Sequence, residues 1–386
     1  MDTTIREIRS YPLNIPLELT FGGASAKTNL SCVLVQVTTA DGVTGHGMTA
    51  ITDEEVVSAA IDSLAAPNLI GEDALNRERI SEMLYWMMTP RGQTGYASHA
   101  ISAIDLALWD IFGKVTGLPC WRLLGGARET VPLYVTFGFG SFSREELVEA
   151  ATSLRDKGVT RYKMVVAHHA LDKRIRGADL QAILREDVER VRLSREAIGP
   201  DAELYIDANC SLDPYSAGWL ADQLQDYGIT FFEEPLRDND PAQMAELRAR
   251  TGMRVAAGQN EGQVWRFRDL LAAGAVDVLQ PNVVICGGLT AGVKAAALAE
   301  AANVTLANGG AFPFHNMHLH AGVAHGGLVE WHLAAVEMCR AIFTGLPEAE
   351  NQSLRLPDAP GLGFEINLDS VRELASKPLS AGRGKG

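Results

Sequence analysis

The sequence predicts an α/β chain in which an N-terminal α+β unit precedes a closed (β/α)8 barrel. From Val131 onward, short β-branched runs alternate with longer helical stretches. Eight such runs occur, "VPLYVTF", "RYKMVV", "ELYIDAN", "ITFFEEP", "RVAAGQ", "VDVLQPN", "VTLANGG" and "LVEWH", the number that closes this barrel. No Gly-rich dinucleotide fingerprint accompanies them, which favours the barrel over an open doubly wound sheet.

The first unit opens on a strand pattern. "NLSCVLVQVTTADGVTGHGMTA" then reads as a hairpin, with alternating residues and an Asp41-Gly42 turn. Helical patterns follow over about 53–66 and 72–89. The strongest is "ASHAISAIDLALWDIFGKVTG", in which Ile101, Ile104, Leu108 and Ile111 fall at helical spacing and Gly117 with Pro119 ends the helix. The expected division is an α+β unit at 1–125, the barrel at 126–350 and a C-terminal segment at 351–386. In that segment "PDAPGLGFEINLD" is expected to pack back on the first unit, and "LSAGRGKG" to be a disordered end.

Composition limits the function. With 386 residues, 47% hydrophobic and 21% charged, the chain has ordinary globular composition and room for two domains. A net charge of −14 argues against nucleic-acid or anionic-membrane partners. It still permits a small anionic substrate if a bound cation reverses the sign locally. Five dispersed cysteines without a CxxC pair, and no signal-peptide or membrane-spanning pattern, lead to the expectation of a cytoplasmic protein with reduced thiols.

In such a barrel, chemistry sits at the C-terminal ends of the strands. Those ends carry Lys163, Asp207, Glu233, the stretch "GQNEG", Asn282, "NGGAFPFHNMHLHAG" and Glu330. Asp207 and Glu233 lie 26 residues apart, one βα unit. Successive strand ends converge, and a hard divalent cation wants carboxylate oxygens that converge from different elements. The plainer alternatives are a helix N-cap for Asp207 and a solvated loop carboxylate for Glu233.

"IDAN", "FFEEP", "QPN" followed by "GG", and "PGLGFEIN" resemble the enolase superfamily, mandelate racemase subgroup. "AISAIDLALWDIFGKVTGLPCWRLLGG" is similar to that family's last N-terminal helix and its linker into the barrel. The resemblance runs over almost the whole chain. It implies a modified (β/α)8 TIM barrel under an N-terminal α+β capping domain completed by the C-terminal segment. It also implies a Mg²⁺ that binds a substrate carboxylate and stabilises the enediolate left when a base removes the α-proton, and a homo-oligomer, often an octamer. Glu330 matches the family's acidic group that hydrogen-bonds the substrate carboxylate, and Lys163 matches the first lysine of its strand-two pair. The family's specificity loops fall around Phe21–Lys27 and Met48–Thr52, offering Phe21, Lys27 and His46. Asn209 and Asn282 join them as expected substrate-binding residues.

The chain leaves that pattern in three places. The third metal ligand, an acid in the family, is Gln259 by spacing, and Glu261 stands two residues on. Residues two apart on an extended strand share a face, so both remain possible ligands, and the charge requirement favours Glu261. The second lysine of strand two is Val165, which cannot take a proton; His168 and His169 follow in the next loop. At the strand-seven histidine position stand Gly309 and Gly310, with Asn282 in place of the partnering aspartate. His315 is then the expected acid or base, with His168 next in line.

The expected function is Mg²⁺-dependent α-proton abstraction from a small carboxylate. A racemase wants a base on each face, whereas a dehydratase can use one. Dehydration of a sugar acid to a 2-keto-3-deoxy acid is therefore expected, with an epimerase or cycloisomerase as the alternative and a non-catalytic acid-binding barrel as the remote one.

Overall fold

The computed structural model describes residues 1–21, 24–88 and 95–375, with backbone alone for 21 and 24–26. The expected disordered end at the C-terminus lies outside these residues.

The chain begins with a three-stranded antiparallel sheet of β1 (Ile5–Phe21), β2 (Ala24–Thr39) and β3 (Thr44–Ala50), in that order. The predicted hairpin joins β2 to β3, with Gly42 at φ +82°, a conformation that glycine adopts without strain. The helix Tyr96–Thr116 lies across this sheet. Gly47 makes the approach possible, because a Cβ there would fall 2.1 Å from the Ala103 carbonyl oxygen. The helix ends at Gly117 in the left-handed conformation, as the sequence predicts. Its other side meets the barrel helix Gly288–Ala301, where Asp105 accepts from the Thr290 N–H (3.0 Å) and Trp109 donates to the Thr290 hydroxyl (3.0 Å).

All eight predicted barrel strands form: β4 (Thr130–Gly138), β5 (Arg161–Val165), β6 (Glu203–Asp207), β7 (Ile229–Glu233), β8 (Val255–Ala257), β9 (Val278–Leu279), β10 (Thr305–Leu306) and β11 (Val329–His332). They pair in parallel in sequence order, and β11 pairs with β4. The Asn308 N–H donates to the Leu328 carbonyl (2.8 Å), joining the end of β10 to β11 and closing the ring. Inside, Tyr134, Tyr205, Phe231, Ala256, Val278 and Ala307 form a separate apolar cluster, with Tyr205 stacked on Phe231 at 4.3 Å. This plug closes the barrel axis, so side chains at the upper strand ends face a cavity with a solid floor.

The C-terminal segment returns to the first unit. Asp110, fully buried, accepts from the Leu362 N–H (2.8 Å), the His46 N–H (3.0 Å) and the Lys114 ammonium (2.9 Å). Gly361 fits against Asp110 only because it has no side chain; a Cβ would fall 2.0 Å from Oδ1. No helix among the described residues is long and apolar enough to cross a membrane.

Candidate active site

The C-terminal ends of the barrel strands and the first unit enclose a cavity of about 250 Å³. Lys163, midway along β5, sits at its base with 2% of its side chain exposed. Its ammonium lies 3.1 Å from Asp207 Oδ2, 2.9 Å from Glu233 Oε1 and 3.0 Å from Glu330 Oε1. Parallel pairing sets Asp207 level with Glu233, and Lys163, level with Tyr205 and so two residues lower, reaches both with its long side chain. Glu330 also accepts from the Ala311 N–H (2.7 Å) and from the Thr136 hydroxyl.

These buried charges are linked. Burial opposes the Lys163 ammonium, but Glu233 and Glu330 outweigh it and hold its pKa well above the ordinary lysine value. Burial also works against ionised Glu330, and Lys163 reverses that, holding the Glu330 carboxyl below its usual range. Glu233 goes the other way, pushed up by burial and by the neighbouring Asp207 charge. Three buried carboxylates face one ammonium, a surplus of two negative charges when all are ionised.

Gln259, not Glu261, reaches this cluster. Its Nε2 donates toward Glu234 Oε2 (3.1 Å) and Asp207 Oδ2 (3.3 Å). The shared-face argument fails because the strand ends at Ala257. Gly258 then takes φ +126°, and the Glu261 N–H closes a turn onto the Gly258 carbonyl (3.1 Å). Glu261 is thereby turned toward Arg266 (2.7 Å) and Asn239 (3.0 Å), away from the cavity. Among the described residues, no three His, Cys, Asp or Glu side chains are grouped as a metal site. Two carboxylates remain, with the amide oxygen of Gln259 once that amide, whose nitrogen here faces Asp207, is turned over. All are hard donors, and magnesium commonly takes only one or two carboxylates and completes its shell with water and substrate. The donor set and the surplus charge therefore fit a divalent cation.

Asn209 and Lys27 line the cavity as expected, and the Asn209 N–H donates to Asp207 Oδ1 (2.9 Å). The side chain of Phe21 lies outside the described residues. The structure places three other expected residues elsewhere. His315 is fully buried between Phe343 and Phe364, ring centroids 5.6 and 5.2 Å away; neither ring nitrogen has a hydrogen-bond partner among the described residues, and burial pushes its pKa well down. Its neighbour Asn316 points to the barrel instead, donating to Asn282 (2.9 Å), since consecutive helical residues face about 100° apart. The Asn282 amide is engaged within the protein: it donates to the Gly309 (3.0 Å) and Gly310 (2.7 Å) carbonyls and accepts from the Val284 N–H (3.0 Å). His46 is 2% exposed and hydrogen-bonds the Phe364 carbonyl (2.7 Å), joining the first unit to the C-terminal segment.

The profile described as mandelate racemase / muconate lactonizing enzyme, N-terminal domain, matches residues 2–125, and the one described as enolase C-terminal domain-like matches 146–370. The chain belongs to the mandelate racemase / muconate lactonizing enzyme family. Within this family of the enolase superfamily, it is 32% identical to D-galactarolactone cycloisomerase of Agrobacterium fabrum, over 96% of this chain and 98% of that one. It is 29% identical to arabinonate dehydratase of Saccharolobus solfataricus, again over 96% and 98%. Among solved structures, a racemase from Streptomyces coelicolor with bound magnesium superposes with a TM-score of 0.85, at 29% identity over 96% of this chain and 99% of that one. L-talarate dehydratase from Polaromonas, complexed with Mg and L-glucarate, gives 0.81 at 27% identity over 97% and 98%.

Against the family pattern of acids and bases, the structure brings forward His332 and Gln280, which the sequence did not single out, and His168, which it placed second to His315. His332 lines the cavity two residues beyond Glu330, and strand alternation alone could have indicated it. Gln280 is fully buried, with no partner for either amide atom among the described residues. It was legible only as part of "QPN". His168, from the loop after β5, lines the cavity beside Val165, where His315 does not reach.

Proposed function

We propose that this family member is a Mg²⁺-dependent lyase that removes the α-proton of a small sugar acid and expels the β-hydroxyl, giving a 2-keto-3-deoxy acid. The observation that carries this is the buried Lys163–Asp207–Glu233–Glu330 cluster at the barrel mouth, with His168 lining the same cavity. Asp207, Glu233 and the Gln259 amide oxygen would hold the ion, which when bound supplies the charge that stabilises an enediolate. Lys163 orients the carboxylates and adds a fixed positive charge at the cavity floor. His168 is the base: it lines the cavity from the loop after β5, where Val165 supplies none.

A single base suits dehydration. His168 takes the α-proton, the electron pair moves toward the carboxylate, and the same imidazolium returns the proton to the departing β-hydroxyl as water. The resulting enol becomes the keto acid. A second reading, cycloisomerisation of an acid lactone, also works with one base and is favoured by the 32% identity to the galactarolactone enzyme.

The test is incubation with aldonic and aldaric acids, and with their lactones, in D₂O with Mg²⁺. Keto-acid release supports the dehydratase. Ring opening to an isomeric product without loss of water supports the cycloisomerase. Absence of both, with no deuterium at the α-carbon of any acid, would refute α-proton chemistry.

A further inference from the structure

The strand-eight end carries a second group beside Glu330, and its protonation is fixed by the fold. His332 is the N-cap of the helix Leu333–Ile342, with an extended backbone (φ −81°, ψ 114°), and its Nδ1 accepts from the Ala335 N–H (3.3 Å). An Nδ1 that accepts cannot carry a proton, so the neutral ring carries it on Nε2. The helix N-terminus disfavours a positive charge at its cap. Burial lowers the pKa of the ring, Glu330 opposes that, and Lys163 adds to it. Phe139 packs against the ring at 5.2 Å and limits its rotation.

The other polar groups at this end of the cavity are engaged. Glu330 is ionised and accepts from Lys163, the Ala311 N–H and Thr136, so it offers a substrate oxygen no proton. Lys163 points its ammonium at three carboxylates. No other residue among those described accepts from the His332 Nε2, while the ring lines the same cavity as Glu330 and Lys163.

We infer that His332 is a catalytic residue: a neutral imidazole, held by the helix cap as its Nε2–H tautomer, that donates to the carboxylate oxygen of a 2-hydroxy acid where negative charge develops. It takes the donor role that the strand-eight acid does not fill here. No proton changes owner in this step; the hydrogen bond shortens as charge builds and lengthens as it disperses. A neutral imidazole fixed at a helix N-terminus is an effective electrophile in enolisation. This deepens the function proposed above and rests on it.

The experiment keeps the cap and removes the donor. Serine caps helices well and cannot reach as far as imidazole, so His332→Ser should fold with an unchanged thermal midpoint. Asparagine caps and retains a shorter N–H, so His332→Asn should be intermediate. In the wild type with Mg²⁺ at pH 7.5, ¹⁵N NMR should show the Nε2–H tautomer, and oxalate, a planar dianion like the enediolate, should move its N–H resonance downfield. His332→Ser should bind oxalate at least ~10-fold more weakly and lose about 10²-fold in kcat with little change in KM, the scale of one lost oxyanion donor. An Nδ1–H or imidazolium signal would overturn the assignment, as would oxalate affinity equal in wild type and His332→Ser, or no oxalate binding by wild type. Failure of the function proposed above has a different signature, no α-deuteration of any acid by the wild type, and leaves the tautomer and oxalate results to decide the role of His332.

Discussion

Gly309 and Glu233 stand so close that a Cβ on residue 309 would fall 2.8 Å from Glu233 Oε1 and 3.0 Å from Gln280 Nε2. The strand-seven end therefore serves as the wall against which the Glu233 carboxylate rests. A histidine cannot occupy that position while Glu233 keeps its place, which accounts physically for the missing strand-seven base. Gly310 is similarly confined, with φ +72° and a Cβ position 2.9 Å from Asn282 Nδ2.

Gly309→Ala should thus displace Glu233. The expected result is Mg²⁺ affinity lowered by at least ~10-fold and stability lowered by about 1–3 kcal/mol, the usual cost of overpacking. Calorimetric Mg²⁺ titration and thermal unfolding measure both. Wild-type affinity in the alanine variant would show that Glu233 does not need this wall.

Gln259 and Glu261 make opposite predictions. Gln259→Glu adds a carboxylate beside Glu234 and Asp207, whose oxygens now lie 3.1 and 3.3 Å from the amide nitrogen. The metal-free variant should melt below wild type, and saturating Mg²⁺ should raise its midpoint by more than it raises the wild type's. Glu261→Ala breaks the Arg266 pair (2.7 Å) outside the cavity, so it should lower stability without changing Mg²⁺ affinity. A loss of affinity in Glu261→Ala would return Glu261 to the metal.

His315 and His168 separate by activity. His315→Leu places an apolar side chain among Phe343 and Phe364 and removes two buried ring nitrogens without partners. Turnover should stay within about twofold, and stability should hold or rise by about 1 kcal/mol, since an unsatisfied buried polar group costs roughly that much or more. His168→Gln should lose on the order of 10²-fold in kcat, the typical contribution of general acid–base catalysis. Loss of turnover in His315→Leu with folding intact would place the base elsewhere than His168.

Asp105 gives a pH signature at the junction of the first unit and the barrel. Burial raises its pKa from 3.8 to about 6, while the Thr290 N–H (3.0 Å) opposes the shift. The folded-state value is the higher one, so its contribution to stability is full below about 3.8 and is lost as pH rises through about 6. Asp105→Asn should therefore gain on wild type between pH 4 and pH 7, by on the order of 3 kcal/mol if the whole shift is expressed. Unfolding curves for both proteins across that range decide it; a pH-independent difference would mean that Asp105 stays ionised.

The sequence alone determined the order of elements and the groups at the strand ends. Parallel register sets Asp207 level with Glu233, which their spacing by one βα unit is enough to show. Lys163 and Glu330 start lower on their strands and meet the two carboxylates through the reach of the lysine side chain once the ring has closed. What happens past a strand end depends on backbone dihedrals and helix rotation that spacing does not encode. Gly258 at φ +126° turns Gln259 inward and folds Glu261 back to Arg266. One helical step separates Asn316, bonded to Asn282, from His315, buried against Phe343 and Phe364. His46 and Asn282 are polar in the sequence, but their hydrogen bonds close on the Phe364 carbonyl and on the Gly309 and Gly310 carbonyls, partners set by tertiary packing. Residue type and period decide where a strand ends; only the packed chain decides which way its next side chain points, because that direction is fixed by whichever distant partner completes its hydrogen bonds.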